Sequence, residues 1–321
     1  MQFSRPQDKE WLYVPSTTAY HASLLNNHPK VNRIMVFGRN ETKLQKLKEE
    51  LNVEVTQNIE DILLDPDVDI VDLCLPSQLH RSYAVDALKH GKHVFCETPV
   101  CFDLEDALLM QQAEKQYGKK ILVNQFIKFD PAYTYLYEAY RQQKYGKLIS
   151  LSLKRETPPL WGDLGLSSIP TQFMIHELDL LTWLLGPCDP CTVWGTEVTH
   201  PEQAQVRAHF QHRDTFTEVI ASSHMPGSYP FTVAYEAYFE KAKLVFHESD
   251  ENDLIPTALY EYTGSGQQKI NLESANPYEK SLDHALECFG GHSESLIPLE
   301  SAVQALKVAV EIKSRLGQAQ R

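Results

Sequence analysis

The sequence predicts an α/β chain of two domains. A doubly wound parallel sheet occupies residues 1–122, and an α+β domain with a mostly antiparallel sheet occupies residues 123–321. Three observations carry this reading. Short, continuous apolar runs alternate with helical patterns over the first third of the chain, as in a parallel sheet covered on both faces. Beyond residue 123 the segments alternate apolar and polar residues, as in an antiparallel sheet with one solvated face. The length of 321 residues is long for one core and comfortable for two.

Taken in order, "EWLYV" (10–14) is a strand, "TTAYHASLLNN" (17–27) a helix and "NRIMVFGR" (32–39) a strand. "NETKLQKLKEEL" (40–51) is a helix with Leu44, Leu47 and Leu51 on one face and Asn40 as its N-cap. Lys43 stands where a capping box has Glu, so only half of that device is present. "VEVT", the helix "NIEDILLD", the buried strand "VDIVDLCL" (68–75), the helix "HRSYAVDALKHG" (80–91) and the strand "HVFCE" follow. The helix 103–118 and the strand "KILVNQF" end this part. Ligands of such sheets bind beyond the carboxyl ends of the strands. That rule draws attention to residues 15–18, 38–40, 76–80 and 97–99.

The second part opens with a helix over 131–146, the strand "KLISLSLKRETP" and the helix "HELDLLTWLLG" (176–186), stopped by Gly186. Six alternating segments follow, then two amphipathic helices that are expected to pack back toward the first domain. A net charge of −13 argues against nucleic acid or an anionic membrane as a partner. No apolar run reaches the ~20 residues of a membrane helix, and no secretory leader is evident, so a cytoplasmic location is expected. Six scattered cysteines imply no disulfide framework. Cys188 and Cys191 form one C-x-x-C without a second pair, which fits turn packing, and no metal is expected.

"LPSQLH" (75–80), "GKHVFCETP" (91–99), "KFDPAY" (128–133) and "HELDLLTWLLG" (176–186) occur in an order and spacing that resembles the glucose–fructose oxidoreductase and inositol dehydrogenase family, Gfo/Idh/MocA. The resemblance covers nearly the whole chain. It implies a Rossmann-like dinucleotide-binding domain followed by an open-faced sheet that carries the substrate site. It also implies hydride transfer between NAD or NADP and a sugar, polyol or related carbonyl or imine compound. A homodimer or homotetramer through the C-terminal sheet follows from the same resemblance.

The departures from the family pattern are equally specific. Its first strand normally runs into a glycine-rich loop that lets the backbone approach a pyrophosphate. If His21 is placed on the family's helix histidine, Tyr13, Pro15 and Thr18 take the glycine positions. Ser16, Thr17 and Thr18 are then hydroxyl ligands for phosphate or simply an N-cap. Gly38 stands where an acid often binds the ribose, and Arg39 follows it, so NADP is expected over NAD. Pro76, His80 and Glu97 complete the expected cofactor edge. The loss of the glycines leaves open that no dinucleotide binds.

At the catalytic positions, Thr98 replaces the family's Glu-Lys-Pro lysine and Gln172 its aspartate, while His176 remains. Neither Thr nor Gln can do general acid–base work near neutral pH. His176 is the expected proton carrier, with Gln172 orienting it, Thr98 bonding to substrate and Lys128 standing in for the lysine. Arg155, Trp161 and Asp179 are expected to contact substrate, with sheet capping as the alternative for the first two. Two readings remain: an oxidoreductase of altered mechanism, or a non-catalytic descendant that senses a ligand or nucleotide or serves as a scaffold.

Overall fold

The structure is a computed structural model, and it describes residues 16–197, 202–249 and 257–319. The expected first strand, with Tyr13 and Pro15, lies outside the described residues. The chain divides into two compact units. The first comprises residues 1–101, 105–126 and 276–299, and the second 102–104, 127–275 and 300–321. The single boundary expected near 123 is therefore crossed more than once.

The first unit follows the alternation read from the sequence: α1 (Ser16–Leu25), β1 (Met35–Phe37), α2 (Glu41–Leu51), β2 (Glu54–Thr56), α3 (Glu60–Leu63), β3 (Ile70–Leu73), α4 (His80–Lys89), β4 (His93–Cys96), α5 (Leu104–Tyr117) and β5 (Ile121–Val123). Every strand pairing is parallel: β1 with β2, and β3–β4–β5 in that order. The strands are apolar because helices cover them. Val94, Phe95 and Cys96 of β4 and all of β5 are buried. Asn40 caps α2 as expected, its side chain accepting from Lys43 N–H at 3.0 Å. Leu44 and Leu47 bury the inner face of α2 against Val36, Val53, Ala19 and Ala22.

The second unit begins with α6 (Pro131–Arg141), β6 (Leu148–Glu156), α7 (Ile169–Gln172) and α8 (Ile175–Leu185). Asp130 accepts from Ala132 N–H at 2.8 Å and Pro131 sits in the first turn, so α6 starts where the sequence suggests. It ends at Arg141, short of residue 146, as Gln143 takes a left-handed φ of 54°. Gly186 closes α8 at φ 83°, a conformation that favours glycine. Then come β7 (Pro190–Glu197), β8 (Ala204–His212), β9 (Thr215–Ser222), β10 (Thr232–Phe239), β11 (Ala242–Ser249), β12 (Ala258–Thr263) and β13 (Gly266–Ile270).

These strands form one eight-stranded sheet in the order β13-β12-β11-β10-β6-β9-β8-β7. All of its pairs are antiparallel except β6 with β9. Leu151, Leu153, Tyr235, Ala237, Leu244 and Phe246 fill its inner face. Tyr133 of α6 packs on Tyr235 and Phe246, and Tyr235 Oη donates to Ala132 O at 2.8 Å. The other face is open. Register places Phe216, Ser150, Tyr238, Lys243 and Tyr262 in one row across it.

The chain closes with α9 (Pro277–Phe289) and α10 (Leu299–Ala319). α9 belongs to the first unit, where His28 Nε2 meets Asp283 at 2.9 Å and Lys30 pairs with Glu287. Residues 300–321 of α10 belong to the second unit. The two closing helices thus fall in different units.

Candidate functional site

In the first unit, charged groups gather at the carboxyl ends of β3, β4 and β5. His21 projects from α1 and is 1% exposed. Its Nδ1 lies 2.8 Å from Asp72 Oδ2, and its Nε2 lies 3.0 Å from Glu97 Oε1. Cys74 Sγ is 3.4 Å from the same Nδ1. Glu97 also accepts from Asn124 Nδ2 at 2.5 Å and from Thr98 N–H at 3.2 Å. Burial by itself disfavours a charged imidazole. The Asp72 charge and hydrogen bond outweigh it, Cys74 and Glu97 add to them, and the His21 pKa stands well above the usual value. His21 is therefore an imidazolium clasped by two carboxylates.

Around this cluster stand the residues expected to hold a cofactor. Thr17 and Thr18 are half-buried in the first turn of α1, which Ser16 opens. Arg39 follows β1 and Gly38, is exposed, and has no carboxylate partner for its guanidinium among the described residues. Pro76 is exposed and starts a short turn that leads into α4. Thr98 and Pro99 make a half-buried turn joined by a cis peptide bond.

His80 differs from expectation. Its ring is fully buried, with Nε2 2.7 Å from Leu75 O and Nδ1 3.1 Å from Val100 O. Burial lowers its pKa despite those carbonyls. Both nitrogens face carbonyls of the turns after β3 and β4, so His80 braces that edge.

In the second unit, α7 and α8 carry the expected catalytic groups. His176 is half-buried near the start of α8, and Gln172 ends α7 four residues earlier. Burial, with the positive charge of Arg155, pushes the His176 pKa well below the ordinary histidine value and favours neutral imidazole.

The other charges of this region are committed to each other. Arg155 Nε donates to Glu177 Oε1 at 2.8 Å and to Oε2 at 2.9 Å, with both side chains buried. The guanidinium lies over Phe173 and Phe231, and the exposed Trp161 ring packs edgewise on the same two rings. Lys128 Nζ is buried 3.3 Å from Asp179 Oδ1 and donates to Ser301 Oγ at 2.5 Å. Burial lowers the Lys128 pKa, and Asp179 opposes it. Lys128, expected as the stand-in for the lysine, and Arg155 and Asp179, expected at the substrate, are each held in a buried ion pair, as a buried charge needs a partner.

This geometry can be set beside known proteins. A family model described as the oxidoreductase family with an NAD-binding Rossmann fold, GFO_IDH_MocA, matches residues 15–125. Inositol 2-dehydrogenase of Corynebacterium glutamicum is 28% identical over 193 residues, 57% of this chain and 56% of the relative. The chain is similar to the Gfo/Idh/MocA family over residues 15–125. It spans about half the length of the curated relatives it matches. Its fold is shared by the 3-ketoreductase KijD10 from Actinomadura kijaniata in complex with NADP, at TM-score 0.76, 15% identity and 90% coverage of each chain. UDP-N-acetylglucosamine 3-dehydrogenase GnnA from Acidithiobacillus ferrooxidans shares it at TM-score 0.77, 18% identity and 93% coverage of each chain.

The chain brings His21, Asp72, Cys74, Glu97, Thr98 and Asn124 together in one unit. It brings His176, Arg155, Glu177, Lys128 and Asp179 onto or beside α8 in the other. Sequence reading missed Asp72, Glu177 and Asn124. Asp72 had a usable signal, since a carboxylate inside the apolar run "VDIVDLCL" demands a buried partner. Glu177 had one too, in that it neighbours His176 on a helix whose surroundings are almost wholly apolar.

Two outcomes are expected. The raised His21 pKa means the folded state holds a proton that the unfolded chain releases near pH 6.5. Its stabilisation is complete below about pH 6.5 and declines above it, by up to about 1.4 kcal/mol per pH unit. Urea unfolding of wild type and His21→Gln between pH 6 and 9 checks this: the difference between them should shrink as pH rises. Separately, Glu177→Leu should cost about 3–5 kcal/mol by stranding Arg155, and adding Arg155→Met should recover most of it. Chemical denaturation of the two variants measures both effects.

Proposed function

We propose that this protein is an NADP-linked oxidoreductase that transfers hydride to or from a sugar, polyol or related carbonyl or imine compound. The observation that carries the proposal is the family match over residues 15–125, which falls on a parallel sheet with an ordered charged cluster at its carboxyl edge. The residues present suit the cofactor. Thr17 and Thr18 lie in the first turn of α1, where helix geometry favours phosphate. Arg39 is exposed, without a carboxylate partner among the described residues, at the position that faces the adenosine ribose in such folds, and Gly38 beside it offers no carboxylate to repel a 2′-phosphate. The nicotinamide, when bound, supplies or accepts the hydride.

The protein's own part is to bind, orient and move a proton. A neutral His176 is suited to accept the alcohol proton in the oxidative direction, with Thr98 and Gln172 as hydrogen-bonding groups. The row of Phe216, Tyr238 and Tyr262, with Trp194 on the same open face, fits a homodimer or homotetramer through that sheet. Among the described residues no helix is long and apolar enough to cross a membrane, and we place the protein in the cytoplasm acting on a small molecule.

A second reading has its own support. Lys128 is locked to Asp179 and Arg155 to Glu177, while Thr98 stands where the family has its lysine. A family member with its candidate cations so committed fits a non-catalytic sensor of ligand or nucleotide, or a scaffold.

Calorimetric titration with NADPH, NADP, NADH and NAD separates the readings. Micromolar binding with preference for the phosphorylated forms is expected, and Arg39→Ala should reduce that preference about tenfold or more. No binding of any of the four at millimolar concentration would remove the oxidoreductase reading. With a turned-over substrate in hand, His176→Ala should lower kcat by about 10²–10⁴-fold. An unchanged kcat would exclude His176 as the proton carrier.

A further inference from the structure

The cluster at the end of β3 places three kinds of metal ligand around one point. His21 Nδ1, a carboxylate oxygen of Asp72 and Cys74 Sγ all lie within 4.8 Å of one another. Nδ1 is 2.8 Å from Asp72 Oδ2 and 3.4 Å from Cys74 Sγ, and that sulfur is 3.6 Å from Asp72 Oδ1. Tetrahedral zinc ligands at their usual bond lengths stand about 3.3–3.7 Å apart. The spacings of Cys74 Sγ to His21 Nδ1 and to Asp72 Oδ1 already meet that requirement, while the direct contact of Asp72 Oδ2 with Nδ1 must give way to the ion.

A second observation points the same way. The far nitrogen of the His21 ring, Nε2, lies 3.0 Å from Glu97 Oε1, and Glu97 is itself held by Asn124. Metal-bound histidines commonly direct their second nitrogen at a carboxylate, which fixes the ring and its tautomer. Here that outer carboxylate is in place. An ion also has a way in: His21 is buried, but the Asp72 side chain is 24% exposed and Cys74 is half-buried.

The donor set selects the ion. One thiolate, one imidazole and one carboxylate suit zinc, and poorly suit magnesium or calcium, which prefer oxygen alone. The exchange balances. One divalent cation enters, the proton on Nδ1 and the Cys74 thiol proton leave, and the net charge of the cluster is unchanged.

We propose that His21, Asp72 and Cys74 bind one zinc-class divalent cation, with Glu97 as the outer-sphere partner of His21. The site does not depend on the dinucleotide reading, and it is tested without an activity assay. Full-length protein stripped by chelator dialysis is titrated with Co²⁺ and followed by absorbance. One Co²⁺ per chain is expected, with a thiolate-to-metal charge-transfer band in the near ultraviolet that Zn²⁺ abolishes. The band should disappear in Cys74→Ser and persist in Cys191→Ser, whose cysteine is exposed and elsewhere. Glu97→Gln should keep the band and weaken the affinity about 10–100-fold. Absence of the band in wild type, or its survival in Cys74→Ser, would overturn the proposal.

Discussion

A protonated imidazole buried between two carboxylates governs the carboxyl edge of the first unit. His21 comes from α1, Asp72 from β3 and Glu97 from the turn after β4, so one ring joins three elements. In a region of low dielectric neither carboxylate nor imidazolium is tolerable alone, whereas together they fix each other's position. Glu97 passes the constraint on: it takes Asn124 from the end of β5 and the N–H of Thr98 in the next turn. His80 braces the same edge from behind through two backbone carbonyls. The edge where a ligand of this fold binds is thus held in shape before any ligand arrives.

The second unit uses the same physics for a different end. α8 carries Glu177 and Asp179, and each is matched to a cation from another segment, Arg155 of β6 and Lys128 of the turn before α6. These pairs orient α8, and with it His176. They also determine which side chains remain for chemistry. Two cations that look available in the sequence are neutralised locally, while the imidazole of His176, just ahead of the two acids on α8, is left neutral by burial and by the Arg155 charge.

The elements themselves were largely legible. Periodicity located the helices from α1 to α10 other than the four-residue α7, and apolar or alternating runs located the strands, because burial of a helix stripe or a sheet face leaves a regular mark. Asn40 and Gly186 marked helix ends because capping is a local interaction between near neighbours in the chain. The C-terminal end of α6 and the parallel pairing of β6 with β9 were not legible. The pairing depends on a partner distant in sequence, and the helix end on a left-handed backbone at Gln143, where no glycine marks the stop.

What the sequence by itself determined is the fold class, the family resemblance and the residue types lost from its motifs, since these reside in pattern and order. Only the tertiary structure decided what each charged side chain does. Lys128 and Arg155 read alike as candidate cations until Asp179 and Glu177 were seen beside them, and His21 and Asp72, 51 residues apart, gave no joint signal until they met. The reason is physical: the state of a buried charge is set by its neighbours in space, and a neighbour can come from anywhere along the chain.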